Sequence, residues 1–183
     1  MPVEFLTDEQ ASGYGRFTGA PSRGELERFF FLDDADRLLV DRRRGDANRL
    51  GFGVQLGTLR FLGTFLGDPV DVPTEAVDYL AAQLQVADPS CLKAYAKREE
   101  TRLEHQWQIA QVYGYGDFAA AEAELARWVD DRAWTTGDGP KALFDGSLPW
   151  LRKRRVLLPG VSVLAKVTPL IARLTQRLPL QSR

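Results

Sequence analysis

The sequence predicts an all-α protein assembled from small helical modules of helix-turn-helix type, followed by a basic helical C-terminal segment. Apolar residues recur at three- and four-residue spacing along most of the 183 residues, whereas strict alternation of apolar and polar residues is scarce. Residues that favour helix N-caps precede these periodic stretches, and glycine or proline follows most of them. The single cysteine excludes an internal disulfide bond, so apolar packing has to hold the modules together.

Five helices are predicted in the first half of the chain, each preceded by a residue that can cap it. Thr7 with Gln10, and Ser22 with Glu25, have the spacing of a capping box. Asn48 is a favourable N-cap for the longest of these helices. The predicted ranges are Asp8 to Tyr14, Arg23 to Phe31, Asp34 to Arg42, Arg49 to Leu62 and Glu75 to Gln85.

Five more helices are predicted in the second half. Asp88 precedes a proline that suits the first helical position, Thr101 with Glu104 forms another capping box, and Asp117 can cap the helix that follows it. A linker is expected at residues 135–140, where threonine, glycine and proline cluster. The predicted ranges are Pro89 to Ala96, Arg102 to Tyr113, Phe118 to Trp134, Lys141 to Arg154 and Val161 to Leu178.

Charge is distributed unevenly, although the net formal charge is only -1. Residues 146–183 carry eight Lys or Arg and no Asp or Glu, and residues 42–60 carry five arginines against one aspartate. The net charge therefore does not exclude a nucleic-acid partner. The longest apolar region, residues 156–174, contains two prolines and two basic residues, so no membrane span is expected. The N-terminus has no basic-then-apolar signal segment, which favours the cytoplasm.

A basic turn followed by a longer helix occurs twice in the chain. Arg49 at the start of the first helix matches Arg102 at the start of the second, 53 residues later, and Gln55 matches Gln108 at the same offset. This order is that of a helix-turn-helix, whose second helix enters the major groove with its N-terminal end first. The repeat favours a double-stranded DNA partner, read by two modules in neighbouring grooves about one helical turn apart. Two ordinary helical hairpins with similar caps are the alternative.

The candidate DNA-binding residues lie in these turns and helices. Arg49, Arg102, Gln55, Gln108 and His105 are the candidates for base or groove contacts, because such side chains can hydrogen-bond to base edges. The basic residues of the turns would approach the sugar-phosphate backbone. The remaining DNA-binding candidates are Arg42, Arg43, Arg44, Asn48, Arg60, Lys97 and Arg98.

Two apolar stripes at helical spacing are expected to pack each longer helix against the short helix before it. They consist of Leu50, Val54, Gly57 and Phe61 in the first copy, and of Leu103, Trp107, Ala110 and Gly114 in the second. The other three tryptophans, Trp128, Trp134 and Trp150, also lie on predicted helices and are expected in the core. No predicted strand precedes Gly51, Gly53 and Gly57, so these glycines favour close helix packing over a phosphate-binding loop.

No constellation of residues indicates catalysis or metal binding. His105 has no cysteine or second histidine near it in the sequence, which makes it a poor candidate for a metal ligand. Asp33, Asp34 and Asp36 stand at a predicted helix start, where acidic residues more often complement the helix dipole. A nuclease that uses these aspartates is a distant alternative. We expect no cofactor, no metal and no small-molecule substrate.

Short matching segments along nearly the whole chain resemble the N-terminal region of the Tn-three family of replicative, cointegrate-forming bacterial transposases. The strongest block runs from Arg42 to Phe65 and includes the basic turn. The other matching segments are residues 2–7, 14–17, 32–36, 71–73, 87–92, 113–115 and 156–161. The resemblance implies recognition of the transposon's terminal inverted repeats by two successive helical modules. It also implies that the acidic triad that cuts and joins DNA belongs to a downstream domain that this chain lacks.

We therefore expect a non-catalytic, sequence-specific DNA-binding region of a transposase in a bacterial, nucleoid-associated setting. Residues 1–87 are expected to form the first DNA-binding module, residues 88–136 the second, and residues 137–183 a linker and basic amphipathic helices. The expected partners are the double-stranded DNA of transposon ends and other transposase subunits. The alternatives are a helical protein-interaction module and a stand-alone regulator derived from a truncated transposase.

Overall fold

The structure, a computed structural model, describes residues 4–175, with side chains described as far as residue 168. Within this part the chain is all-α, as predicted, with an isolated bridge between Gly116 and Val156 as its β-type pairing. A π-helical turn at Leu26–Phe30 continues α2, and 3₁₀ turns lie at Pro69–Asp71 and Pro89–Cys91. The α-helices are α1 Asp8–Gly13, α2 Arg23–Glu25, α3 Asp34–Asp41, α4 Asp46–Leu62, α5 Thr74–Leu84, α6 Leu92–Ala96, α7 Glu99–Tyr113, α8 Phe118–Thr136, α9 Pro140–Lys153 and α10 Val161–Thr175.

The predicted capping boxes at Thr7 and Ser22 are confirmed, since in both the side chain accepts the backbone N–H three residues on and the reciprocal bond is present. Asn48 and Thr101 are not N-caps, which corrects two predictions. The α4 helix begins earlier, at Asp46 behind Gly45, whose positive φ of 80° suits glycine. The amide of Asn48 donates instead to the Arg44 carbonyl within that early turn. The α7 helix also begins earlier, at Glu99, because two glutamates in its first turn complement the helix dipole.

The described chain divides into two compact units with boundaries that differ from those predicted at residues 87 and 136. The central unit is Gly15–Gly114, and the split unit combines the residues up to Tyr14 with those from Tyr115 onward. The two predicted DNA-binding modules are not separate units. Both basic turns and both longer helices, α4 and α7, belong to the central unit, because α6 and α7 pack directly on α4. The packing of α6 and α7 on a helix about 50 residues earlier leaves no local signal in the sequence.

The α4 helix is the centre of the central unit and is buried on nearly all sides. It packs against the π-helical turn and against α3, α5, α6 and α7. A Cβ atom added at Gly51 would lie 2.3 Å from the ring of Tyr95, and one at Gly57 would lie 2.3 Å from the ring of Phe30. At Gly53 the nearest atom would be 3.5 Å away, which is an ordinary contact. The interpretation of these glycines as close-packing positions is thus confirmed for Gly51 and Gly57.

The split unit has its own apolar core, formed by α8, α9 and α10. Phe5 packs edge-on against Phe144, with ring centroids 5.8 Å apart, and the Tyr14 hydroxyl donates to the Pro159 carbonyl at 2.9 Å. These contacts bring the N-terminal residues into a core that otherwise lies beyond residue 115. Its fully or almost fully buried members include Leu125, Val129, Leu143, Phe144, Trp150, Leu151, Leu164 and Val167.

The burial of individual side chains tests two further predictions, the one for the tryptophans and the one for the last helix. Of the tryptophans expected in the core, Trp150 is buried and Trp128 is partly buried, but Trp107 and Trp134 are 65% and 61% exposed, so the expectation is wrong for these two. In the predicted last helix, Leu164 and Val167 are buried, and residues 176–178 lie outside the described residues. No helix within the described residues is long and apolar enough to cross a membrane.

Candidate nucleic-acid interface

The two basic turns that the sequence places 53 residues apart lie side by side in the central unit. The Asn48 side chain joins them: its amide nitrogen donates to the Arg44 carbonyl at 3.0 Å, and its oxygen accepts from the Arg98 guanidinium at 3.2 Å. The exposed basic side chains of the two turns are Arg42, Arg44, Lys97 and Arg98, which we call the basic turn cluster. Ion pairs to these four side chains are absent from the described part of the chain, so their charge is available to an anion.

The start of α4 adds to the positive potential of the basic turn cluster. Its N-cap is Gly45, which has no side chain to accept the free N–H groups of the first turn. Such N–H groups and the positive end of the helix dipole favour a phosphate. Asp46 partly offsets this charge, but its carboxylate already accepts a hydrogen bond from Arg49 at 3.3 Å. The start of α7 is less suitable, because Glu99 and Glu100 occupy its first turn.

Arg49 is held inside the central unit and does not project as a base-reading residue. Its guanidinium donates to Asp41 at 3.0 Å, to Asp46 at 3.3 Å and to the Leu84 carbonyl at 3.2 Å. Together with Arg37, which donates to the Gln83 carbonyl at 2.8 Å, it caps the C-terminal end of α5. These bonds tie α3, α4 and α5 together, so the guanidinium predicted to read a base instead holds helices in place.

Arg60 forms a two-pronged ion pair with Asp36 and is likewise structural. The two N–H groups lie 2.8 and 2.9 Å from the carboxylate oxygens, and the Tyr113 hydroxyl donates to the same carboxylate. Burial raises the pKa of Asp36, but the hydrogen bonds from Arg60 and Tyr113 outweigh it and hold this pKa below its usual range. The Asp36 side chain is 2% exposed, so it depends on Arg60 for its charge to be tolerated. The expectation that Arg60 contacts DNA is therefore not supported by its position.

The aspartates at the start of α3 are not arranged as metal ligands. Asp33 caps α3 in a capping box: its carboxylate accepts the backbone N–H of Asp36, and the Asp36 carboxylate accepts the backbone N–H of Asp33. This is in keeping with the helix-dipole interpretation of the aspartates. No group of three or more His, Cys, Asp or Glu side chains among the described residues is placed to hold a metal ion.

Gln55 and His105 are buried, which contradicts their assignment as groove-contacting residues. Each is 3% exposed. The Gln55 amide donates to the Tyr95 hydroxyl oxygen at 2.6 Å and to the Arg102 carbonyl at 3.1 Å. The Tyr95 hydroxyl lies 2.9 Å from Nδ1 of His105. Because the hydroxyl oxygen already accepts from Gln55, we assign the hydroxyl as the donor and Nδ1 as the acceptor of this hydrogen bond. We call this set of three side chains the buried polar network, and it joins α4, α6 and α7 from the inside.

The remaining candidates are only partly accessible. Arg43 is half-buried with its guanidinium 4.6 Å above the Phe52 ring. Arg102 donates to the Gly67 carbonyl, and Gln108 donates to Glu104 at 2.9 Å. These three side chains have partners within the central unit and would have to exchange them in order to bind DNA.

The protonation of His105 should make the stability of the chain depend on pH. Burial, and secondarily the nearby Arg43 guanidinium, lower the pKa of His105 to about 4, from about 6.5 in an unfolded chain. A group with a lowered folded pKa stabilises the fold above the unfolded value, and this contribution is lost as pH falls towards the folded value. We expect the free energy of unfolding to fall by roughly 2 to 3 kcal/mol between pH 6.5 and pH 4.

The measurement is urea denaturation followed by circular dichroism across that pH range. His105→Asn is the matched variant, because the asparagine oxygen can still accept from Tyr95 but does not titrate. It should show a clearly shallower decrease than the wild type over the same range. Parallel pH profiles for the two proteins would contradict the role assigned to His105.

The outward surface of α7 was not anticipated from the sequence. Leu103 and Trp107, predicted to face the preceding short helix, are 54% and 65% exposed, and His105 and Ile109 form the buried side instead. Apolar residues lie on both sides of α7, so the sequence pattern did not show which side is buried. The signal that was overlooked is acidic: Glu99, Glu100 and Glu104 occupy the end of the helix that was expected to enter the groove.

Comparison with known proteins finds one matching family model and similarity to transposases. A family model described as "Domain of unknown function (DUF4158)" matches residues 5–169. The transposase for transposon gamma-delta of Escherichia coli (strain K12) is 40% identical over 182 residues, which cover 97% of this chain and 18% of that protein. The transposase for transposon Tn501 of Pseudomonas aeruginosa is 36% identical over 162 residues, covering 85% of the chain and 16% of that protein. The chain thus spans less than a fifth of the length of these relatives.

Proposed function

Because this chain belongs to the DUF4158 family and corresponds to the N-terminal region of Tn-three family transposases, we propose that it binds the DNA of transposon ends. The resemblance seen in the sequence agrees with the comparison. The proposed role is non-catalytic: the chain holds a transposase on the terminal inverted repeat, while cutting and joining of strands belong to another part of the protein.

The observation that carries this proposal is the convergence of the two basic turns at the start of α4. Four exposed cations, with an N-terminal helix turn that has no side-chain cap, form a surface that suits the phosphates of a duplex. Phosphate contacts supply much of the affinity and fix the register of the protein on the duplex. Arg42 and Arg44 are the candidates for groove contacts, because they project from a turn and are not committed to an ion pair in the central unit.

The hydrogen bond between Asn48 and Arg98 changes the expected footprint. Two modules one helical turn apart would protect two separate stretches of DNA. In the structure both turns belong to the central unit and are bonded to each other through Asn48. We therefore expect the central unit to protect one continuous stretch.

The test is the binding of the purified chain to a duplex that carries the terminal inverted repeat of its own transposon, measured by fluorescence anisotropy. A duplex of the same length and composition with shuffled sequence is the matched control. The repeat duplex should bind at least tenfold more tightly, and both affinities should fall as salt is raised. Equal affinity for the two duplexes at moderate salt would overturn sequence-specific recognition, and no binding to either duplex would overturn the DNA-binding proposal itself.

A further inference from the structure

The outward side of α7 presents an apolar surface with an acidic border. Trp107 stands at its centre, Leu103 lies one turn before it, and both are more than half exposed. On a helix of 3.6 residues per turn, Glu100 and Glu104 share this side with them. We call the four side chains Glu100, Leu103, Glu104 and Trp107 the outer face of α7. Scattered apolar residues are common on surfaces, but a tryptophan next to a leucine on one helix face is a contiguous patch of the kind that partners cover.

The charge of this face argues against DNA as its ligand. Glu99, Glu100 and Glu104 are exposed, and none of them has an ion pair within the described part of the central unit. Three carboxylates at the N-terminal half of a helix would repel the phosphates on both sides of a groove. The same face favours a cationic partner. The carboxylates attract positive charge, and the indole ring of Trp107 can stack against an arginine or lysine.

We propose that the outer face of α7 docks a basic amphipathic helix of a protein partner. The apolar side of that helix would cover Leu103 and Trp107, and its flanking lysines or arginines would pair with Glu100 and Glu104. This arrangement is an ordinary helix-on-helix contact, with apolar anchors at its centre and charges at its border.

The described basic helices of this chain are poor candidates for the occupant. In α10 the apolar residues Leu164, Ala165 and Val167 are already buried in the core of the split unit. A second copy of the chain would have to unpack that core in order to supply the helix. We therefore assign the outer face of α7 to a basic amphipathic helix of a different protein.

The inference goes beyond DNA binding and does not depend on it. The outer face belongs to the helix that follows Arg98 directly, so a docked helix would lie next to the basic turn cluster. The basic turn cluster and the outer face of α7 have opposite charge and consist of different side chains. Separate variants can therefore test DNA binding and helix docking independently.

The experiment uses the 183-residue chain and a synthetic 18-residue amphipathic helix that has leucine on one side and lysine and arginine on the other. Fluorescein-labelled peptide is titrated with protein and followed by anisotropy. A second peptide with the same leucines and with glutamate in place of every basic residue is the control ligand. We expect the basic peptide to bind at least tenfold more tightly than the acidic one.

Variants locate the binding on the protein. Trp107→Ala and the double variant Glu100→Gln with Glu104→Gln should each weaken binding of the basic peptide at least fivefold. Trp134→Ala is the matched control, because Trp134 is also about 60% exposed but lies on α8; it should leave binding unchanged. All four residues are exposed, so the variants should keep the wild-type circular dichroism spectrum.

Four results would overturn the inference. The first is equal binding of the basic and acidic peptides, and the second is equal effects of Trp107→Ala and Trp134→Ala. The third is self-association of the chain that Trp107→Ala abolishes, which would make a second copy the occupant. The fourth is weakened binding of the inverted-repeat duplex by Trp107→Ala, which would make the face a DNA contact. Retained duplex binding together with loss of peptide binding supports the inference.

Discussion

Replacing Arg42, Arg44, Lys97 and Arg98 together by alanine should remove most of the salt-sensitive binding of this chain to duplex DNA. Each phosphate contact that is lost lowers the slope of log affinity against log salt by about 0.9. The quadruple variant should therefore flatten this slope by about 3 to 4, and binding at low salt should weaken by about a hundredfold or more. The measurement is anisotropy with the inverted-repeat duplex at four or five salt concentrations.

A matched control separates the position of these charges from their number. Arg16, Arg23, Arg28 and Arg127 are also exposed and lie outside the basic turn cluster, so their joint replacement by alanine changes the net charge by the same amount. This control variant should keep at least half of the wild-type slope. If the two quadruple variants lose affinity equally, the cluster has no special role and binding is diffuse electrostatic attraction.

Gly51→Ala should destabilise the chain by about 2 to 4 kcal/mol. The new methyl group would overlap the ring of Tyr95 at 2.3 Å, and Tyr95 cannot move without losing its hydrogen bonds to Gln55 and His105. Overpacking and the loss of buried hydrogen bonds both destabilise the variant. Urea denaturation of the wild type and the variant measures the difference.

Gly53→Ala is the control on the same helix. Its methyl group would lie 3.5 Å from the nearest atom, and alanine favours the helical conformation over glycine by about 1 kcal/mol. We expect this variant to be as stable as the wild type or slightly more stable. A loss of stability as large as that of Gly51→Ala would show that any substitution in α4 is harmful, and that the contact with Tyr95 is not the reason.

Local signals in the sequence were sufficient to predict the class of fold and most of the helices. Capping at Thr7, Ser22 and Asp33 depends on residues three positions apart, and the left-handed turns at Gly63 and Gly114 depend on glycine itself. Such features are visible in a short window. The helix starts at Asp46 and Glu99 were missed because another favourable cap stood two or three residues further on.

The surroundings of the candidate DNA-binding residues were harder to predict, because they are set by distant parts of the chain. Arg60 finds Asp36 24 residues away, and Asp36 is bonded to Tyr113 77 residues away. Gln55 is buried by Tyr95, 40 residues further on. A basic or amide side chain on a helix is equally suited to DNA and to such a partner, and only the folded chain decides between them. In the turns, Arg42, Arg44, Lys97 and Arg98 are exposed, so the prediction that they contact DNA stays open to test.

The division of the chain has a consequence for its synthesis on the ribosome. The central unit is one uninterrupted stretch, so it can fold as soon as residue 114 has emerged. The split unit has to wait, because Tyr14 finds its acceptor at Pro159, 145 residues later. At translation rates of about 5 to 20 residues per second, this delay is on the order of ten seconds. Once residue 114 has emerged, the central unit can be folded while Phe5 and Tyr14 still lack their partners in the core of the split unit.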